Sequence, residues 1–151
     1  MDAEHTHQVF DWLWSSGQLS EADIASLPAL GIEAVINLAP PSSPSALPRE
    51  AELVTGHGIA YVQIPVEWEQ PLLEQLTVFF RILTAFGDRK VWVHCAKNMR
   101  VSAFLYLYRR LCRLEPEAVA CHPLREVWEP NQTWQAFISR ALATGSSLCG
   151  S

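Results

Sequence analysis

The sequence predicts a single α/β domain: a central, mostly parallel sheet of four to five strands, flanked by helices in three layers. Three observations predict it. Short runs of branched apolar residues alternate with longer amphipathic runs, the pattern of strands joined by helical crossovers. Glycine and proline punctuate the joints between runs. The third is size: 151 residues, 49% of them hydrophobic and 18% charged, suffice to cover such a sheet on both faces around one core. No internal repeat divides the chain, so residues 1–151 read as one domain. Its packed part is expected at about 8–144, with a disordered Gly/Ser tail at 145–151.

Each element has its own justification. Phe10-Asp11-Trp12-Leu13-Trp14 reads as a first strand, suited to a sheet edge. Ser20-Glu21-Ala22-Asp23 carries a capping box, with Ser20 as N-cap and Asp23 reaching back, and the helix it opens stops at Gly31, a residue suited to the left-handed position. Ile32 to Leu38 is a buried strand by its branched content. Ala39 to Pro48 is Pro/Ser-rich and therefore a loop. Arg49 to His57 reads as a short helix ending at Gly58, and Ala60 to Pro65 as the next strand. After a loop from Val66 to Pro71, Leu72 to Phe86 is an amphipathic helix stopped by Gly87. Lys90 to Val93 is the third buried strand, followed by a loop at Cys95 and a helix through Leu114. Pro116 and Pro130 stand where helical first turns begin, which predicts helices near 117–127 and 131–144.

Composition excludes several classes of function. The net charge is −5, which argues against a general nucleic-acid or anionic-membrane surface, so neither partner is expected. Any anion site must be local. No apolar run approaches the length that spans a bilayer. The first residues, Met1-Asp2-Ala3-Glu4-His5, are polar and acidic, unlike a signal peptide, and a cytoplasmic setting is expected. Cys95, Cys112, Cys121 and Cys149 lack metal-ligand spacing. No metal and no cofactor is therefore expected, and the cysteines are read as reduced. Cys112 reads as a small buried hydrophobe and Cys149 as part of the loose tail. Nothing in the sequence sets the oligomeric state.

The chemistry concentrates in Val91-Trp92-Val93-His94-Cys95-Ala96-Lys97-Asn98-Met99-Arg100-Val101-Ser102. An apolar strand ends in His-Cys, a tight turn follows, then an Arg and an amphipathic run. A thiol in such a loop sits over backbone N–H groups and the positive end of a helix, which favour a thiolate and a bound oxyanion. Ala96, Lys97, Asn98, Met99 and Arg100 supply the amides of this cradle, and Arg100 adds a planar fork suited to phosphate oxygens. A cation is unfavourable at a helix N-terminus unless an anion is present, which argues for a binding role at Arg100. Cys95 alone would read as a core thiol. In this context it reads as a nucleophile. Lys97 reads equally as a solvated charge and as an electrostatic aid at the mouth. Among the tryptophans, Trp12, Trp14, Trp92, Trp128 and Trp134 read as strand or core packing, whereas Trp68 flanks the site.

These residues resemble a family. Ser16-Gly17-Gln18-Leu19-Ser20, Leu30 to Leu38, Tyr61-Val62-Gln63-Ile64-Pro65-Val66 and Val93-His94-Cys95 are together similar to the compact, dual-specificity kind of protein tyrosine phosphatase, over roughly residues 10 to 113. The resemblance implies the three-layer phosphatase fold, and a reaction in which the thiolate attacks phosphorus and a phosphocysteine is then hydrolysed. It implies a phosphorylated substrate, protein or small molecule, and a phosphate or sulfate ion at the loop. His94 takes the family's loop-supporting role. The family's acid is an Asp after the Ile-Pro strand. Here Glu67 aligns best, two residues after Pro65, with Glu69 as the fallback.

The loop departs from the family pattern. Four residues rather than five separate Cys95 from Arg100, and none is Gly. In one register the loop is a residue short, Arg100 is the phosphate ligand and Val101 takes the hydroxyl position. In the other, Ser102 keeps the hydroxyl position and Arg100 is displaced by about 100° around a helix. Asn98 replaces the usual Gly and tolerates a left-handed backbone. Four intervening residues also suit a rhodanese-type sulfurtransferase, with a persulfide on Cys95. A third reading is a catalytically impaired phosphate-binding module. Against that one length stand three matches, His94 before the cysteine, the Ile64-Pro65 strand and the entrance motif of residues 16–20 and 30–38, and they rank the phosphatase first.

Overall fold

A computed structural model describes residues 1–150. Five strands form one sheet: β1 (His7–Phe10), β2 (Leu13–Ser16), β3 (Ala34–Asn37), β4 (Ala60–Gln63) and β5 (Val91–His94), in the order β1-β2-β5-β3-β4. Pairings β2–β5, β5–β3 and β3–β4 are parallel, and only β1 is antiparallel. The helices are α1 (Glu21–Ser26), α2 (Glu50–Thr55), α3 (Leu73–Phe86), α4 (Met99–Leu111), α5 (Glu117–Ala120), α6 (Leu124–Val127) and α7 (Gln132–Thr144).

Strand periodicity splits the core into two layers. Val35 and Trp92 pack with Leu19, Ile24, Leu27, Ile32, Val54 and Ile59 under α1 and α2. Ile36 and Val93 face the opposite way, against Phe79 and Phe80 of α3, Phe104 of α4 and Phe137 of α7. Because the parallel strands run in register, Ser16, His94, Asn37 and Gln63 end side by side on one edge. That is the edge where a doubly covered parallel sheet gathers its chemistry.

The Ser20–Asp23 capping box is present in both directions, at 3.0 Å each way, and Gly31 takes the left-handed φ of 76°. Several expectations are corrected. The first strand is two strands in a hairpin, turned at Asp11 and Trp12 without a glycine, so β2 lies inside the sheet rather than at its edge. The helix expected from Ser20 to Gly31 stops at Ser26 and continues as a 3₁₀ turn over Pro28–Leu30, because proline has no N–H for the helical ladder. The helix expected at 117–127 breaks into α5 and α6 around Pro123. The expected tail is a 3₁₀ turn over Gly145–Cys149, while Ser151 lies outside the described residues.

The cysteines are not all reduced: Cys112 and Cys149 form a disulfide, leaving Cys95 and Cys121 free. Such bonds persist where thiols are not kept reduced, which removes one ground for expecting a cytoplasmic setting. Among the described residues, no helix is long and apolar enough to cross a membrane.

Candidate active site

β5 delivers Cys95 to the carboxyl edge of the sheet, and α4 begins four residues later, at Met99. The tight turn requires one left-handed residue, and Asn98 supplies it with φ 65°. Its side chain is fully buried, and Nδ2 donates to the His5 carbonyl (2.7 Å) and to Ser15 Oγ (3.0 Å), tying the loop to the chain's start and to β2. Gly17 passes against the loop on its other flank. A Cβ there would meet the Ala96 carbonyl oxygen at 2.7 Å. The close approach lets Gln18 N donate to that oxygen at 3.0 Å.

Among the described residues, the N–H groups of Ala96, Lys97, Met99, Arg100 and Val101 have no protein acceptor, and the first helical bond of α4 runs from Ser102 N to Asn98 O. A ring of unpaired donors at a helix start is an anion site in its own right. It opens on a cavity of about 580 Å³ lined by Ser43, Pro44, Ser45, Trp68, Cys95, Ala96, Lys97, Met99 and Arg100. Cys95 lines its floor, buried beneath the mouth that Lys97 borders. The guanidinium of Arg100 lies 5.3 Å from the centre of the Trp68 ring, and its buried Nε has no partner. The cation is thus held by an aromatic face with a donor to spare.

Trp68 is itself held. Its carbonyl accepts from Trp134 Nε1 at 2.9 Å, and its ring packs against Trp128 and Trp134. The C-terminal segment, which the sequence reading credited with little more than core, therefore backs the wall that Trp68 makes. The Ala39–Pro48 loop builds the opposite wall through Ser43, Pro44 and Ser45. No side-chain chemistry in that loop signalled this.

The remaining expected residues divide. Lys97 is exposed at the mouth. Arg100 lines the pocket, while Val101 and Ser102 are buried in α4, and Ser102 Oγ donates to the Met99 carbonyl at 3.0 Å. This arrangement matches the register in which the loop is one residue short. Glu67 and Glu69 are exposed and line an adjoining hollow with Trp68 and Gln70, not the Cys95 cavity. Among the described residues, no carboxylate lines the Cys95 cavity.

Behind the loop lies a chain of groups that the sequence reading took up only at His94. His94, 0% exposed, places Nε2 2.6 Å from Glu50 Oε2 and Nδ1 3.2 Å from the Cys95 carbonyl. Gln18 Nε2 donates to Glu50 Oε1 at 2.6 Å. Burial pushes the Glu50 carboxyl up. The His94 hydrogen bond and charge, with hydrogen bonds from Gln18 and Tyr61, outweigh that and hold it below its ordinary value. A glutamate in the first turn of a helix ordinarily reads as a dipole partner, so no sequence signal marked Glu50.

No protein-family model matches the chain, and no curated protein does. Solved structures do match. One, a DUF442 candidate phosphatase from Shewanella putrefaciens CN-32, is 35% identical over 95% of each chain, with a TM-score of 0.85. The chain belongs to the DUF442 family. The fold recurs at lower identity in TpbA of P. aeruginosa (14% identical, 97% of this chain and 91% of that one, TM-score 0.76), which has also been solved in complex with pTyr. It recurs again in the core catalytic domain of the PP-IP phosphatase SIW14 from S. cerevisiae, solved in complex with citrate (15% identical, 92% and 86% covered, TM-score 0.71). The DUF442 chain described here carries its strand–loop–helix cradle on a loop of four residues between Cys95 and Arg100.

Proposed function

We propose that the protein is a cysteine-dependent phosphatase that hydrolyses phosphate monoesters through a phosphocysteine on Cys95. One observation carries the reading. Cys95 and Arg100 line a single cavity into which a ring of otherwise unpaired backbone N–H groups opens. The amides and the Arg100 fork hold the three phosphoryl oxygens. The Cys95 thiolate attacks phosphorus, the P–S bond forms and the ester P–O bond breaks. The departing alkoxide or phenolate takes a proton. Water then attacks the phosphocysteine, the P–S bond breaks, and inorganic phosphate and the thiolate are regenerated.

Glu67 is the proton donor in this reading. It has to move to serve, since it stands exposed in the adjoining hollow on the same loop as Trp68. Esters of acidic phenols, whose leaving groups need no proton, depend on it least. The pTyr complex of TpbA supports a phosphorylated aryl substrate, and the apolar lining supplied by Trp68, Met99 and Pro44 suits an aromatic ring. The citrate in the SIW14 structure agrees with an anion cradle. The acting molecule is the single domain, and we retain the cytoplasm as its place of action only if the Cys112–Cys149 bridge proves dispensable.

Offering p-nitrophenyl phosphate and, separately, thiosulfate with cyanide to the native protein and to Cys95→Ser tests the reading. Phosphate release by the native chain that vanishes in the variant is the expected result. Thiocyanate without phosphate release would replace the phosphatase by a sulfurtransferase. Neither product, with inorganic phosphate bound, would leave a binding module.

A further inference from the structure

The Cys95 pocket requires its peptide N–H groups to face inward, and something must hold them so. In a trans peptide the C=O and the following N–H point to opposite sides. The Cys95 carbonyl faces His94 Nδ1 at 3.2 Å, and the Ala96 carbonyl accepts from Gln18 N at 3.0 Å. With both carbonyls taken up by groups that do not all line the cavity, the N–H groups of Ala96 and Lys97 are turned the other way, and neither has a protein acceptor. A carbonyl swung into the cradle would instead present negative charge to an incoming oxyanion.

We propose that Glu50 is a positioning residue for this cradle, acting through His94 to keep the Cys95 carbonyl out of the pocket and the Ala96 N–H in it. The inference rests on the oxyanion reading of the Cys95 pocket given above. Glu50 touches no reacting atom and does not line that pocket. Its action follows from the acceptors around the imidazole. Nδ1 faces a carbonyl and Nε2 faces a carboxylate, and a ring that donates at both ends carries both protons. A buried imidazolium persists only against a buried counter-charge, and Glu50, 6% exposed, provides it at 2.6 Å. Tyr61 on β4 is the further titratable group that acts on Glu50, and Arg49 lines the same hollow as both. Tyr61 keeps its proton, because burial and the Glu50 charge push its hydroxyl up against the opposing Asn37 hydrogen bond. Glu50 also accepts from Gln18 Nε2 on its second oxygen. A glutamine at this position has one acceptor oxygen where His94, Gln18 and Tyr61 all donate, and it cannot hold the ring charged.

The test compares the native protein with Glu50→Gln, His94→Asn and the double variant, reading inorganic phosphate affinity by calorimetry and the ring ¹⁵N signals of His94 at neutral pH. Native His94 should show two protonated nitrogens. Glu50→Gln should lose one proton signal and bind phosphate about tenfold more weakly, the worth of one hydrogen bond to a charged group. In the His94→Asn background the same change should alter affinity by less than about twofold. A role confined to stability would lower the melting temperature and leave phosphate affinity and the ring signals alone, which would overturn the inference. An equal loss in both backgrounds would overturn the route through His94. A native ring with one bare nitrogen would overturn it without any variant, so a Glu50→Gln chain that failed to fold would not shelter it. If the native protein bound no phosphate, the pocket reading itself would fall, an outcome told apart because it precedes any substitution.

Discussion

Arg100 and Trp68 show how one residue's position decides another's use. Arg100 lies in the first turn of α4, where a cation opposes the helix dipole. The indole of Trp68, 5.3 Å from its guanidinium carbon, compensates for that and fixes the fork beside the cradle. Substituting Trp68→Leu keeps an apolar side chain but removes the π face. We expect KM for an aryl phosphate to rise about three- to tenfold, the range of a partly desolvated cation–π contact, with a smaller change in kcat. Unchanged KM in steady-state assays would mean that Arg100 holds its place without the ring. Much at this scale was readable in the sequence, since Cys95, Arg100, Asn98 and Trp68 were all marked by residue type and spacing. Glu50 and Gln18 were not, because their role depends on where β2, α2 and β5 meet. Glu67 was marked by spacing alone, and spacing cannot tell which side of Trp68 its side chain takes.

At the scale of elements, α4 is the spine that joins the site to the far end of the fold. Its first turn holds Arg100, and Cys112, just past its last turn, is bonded to Cys149. The two ends are separated by about 18 Å of helix. Ser146 Oγ adds a hydrogen bond to the Leu111 carbonyl at 2.8 Å, so the 3₁₀ turn is fastened twice. Cys149→Ser should therefore lower stability by about 2–4 kcal/mol, the usual worth of a bridge closing a loop of this size (sequence separation 37). Phosphate affinity should stay native. A melting temperature equal to that of the oxidised native protein would contradict this, as would a loss of phosphate binding. The strands β3, β4 and β5 and the capped start of α1 were legible because branched apolar runs and a capping box are local signals. The β1–β2 hairpin was not, since Asp11-Trp12 carries none of the usual hairpin turn chemistry. The disulfide was not legible either, because pairing depends on the folded approach of α4 to the chain's end.

For the whole molecule, the parallel pairing of β2, β5, β3 and β4 does the decisive work. It aligns Ser16, His94, Asn37 and Gln63 on one edge and brings three loops to a common mouth. With a net charge of −5, the molecule attracts no polyanion at long range. Its anion affinity is built from backbone dipoles and one guanidinium, and it should be correspondingly specific for small tetrahedral groups. The most direct test follows from there being two free cysteines in different places, Cys95 on the cavity floor and Cys121 beside α5. Alkylation of the native protein by iodoacetate, mapped by peptide mass spectrometry with and without inorganic phosphate, reads both at once. The account predicts that Cys95 is carboxymethylated in the folded protein and that phosphate slows this in proportion to site occupancy, while Cys121 is indifferent to phosphate. Labelling of Cys95 at one rate in the presence and absence of phosphate, or only after unfolding, would contradict it.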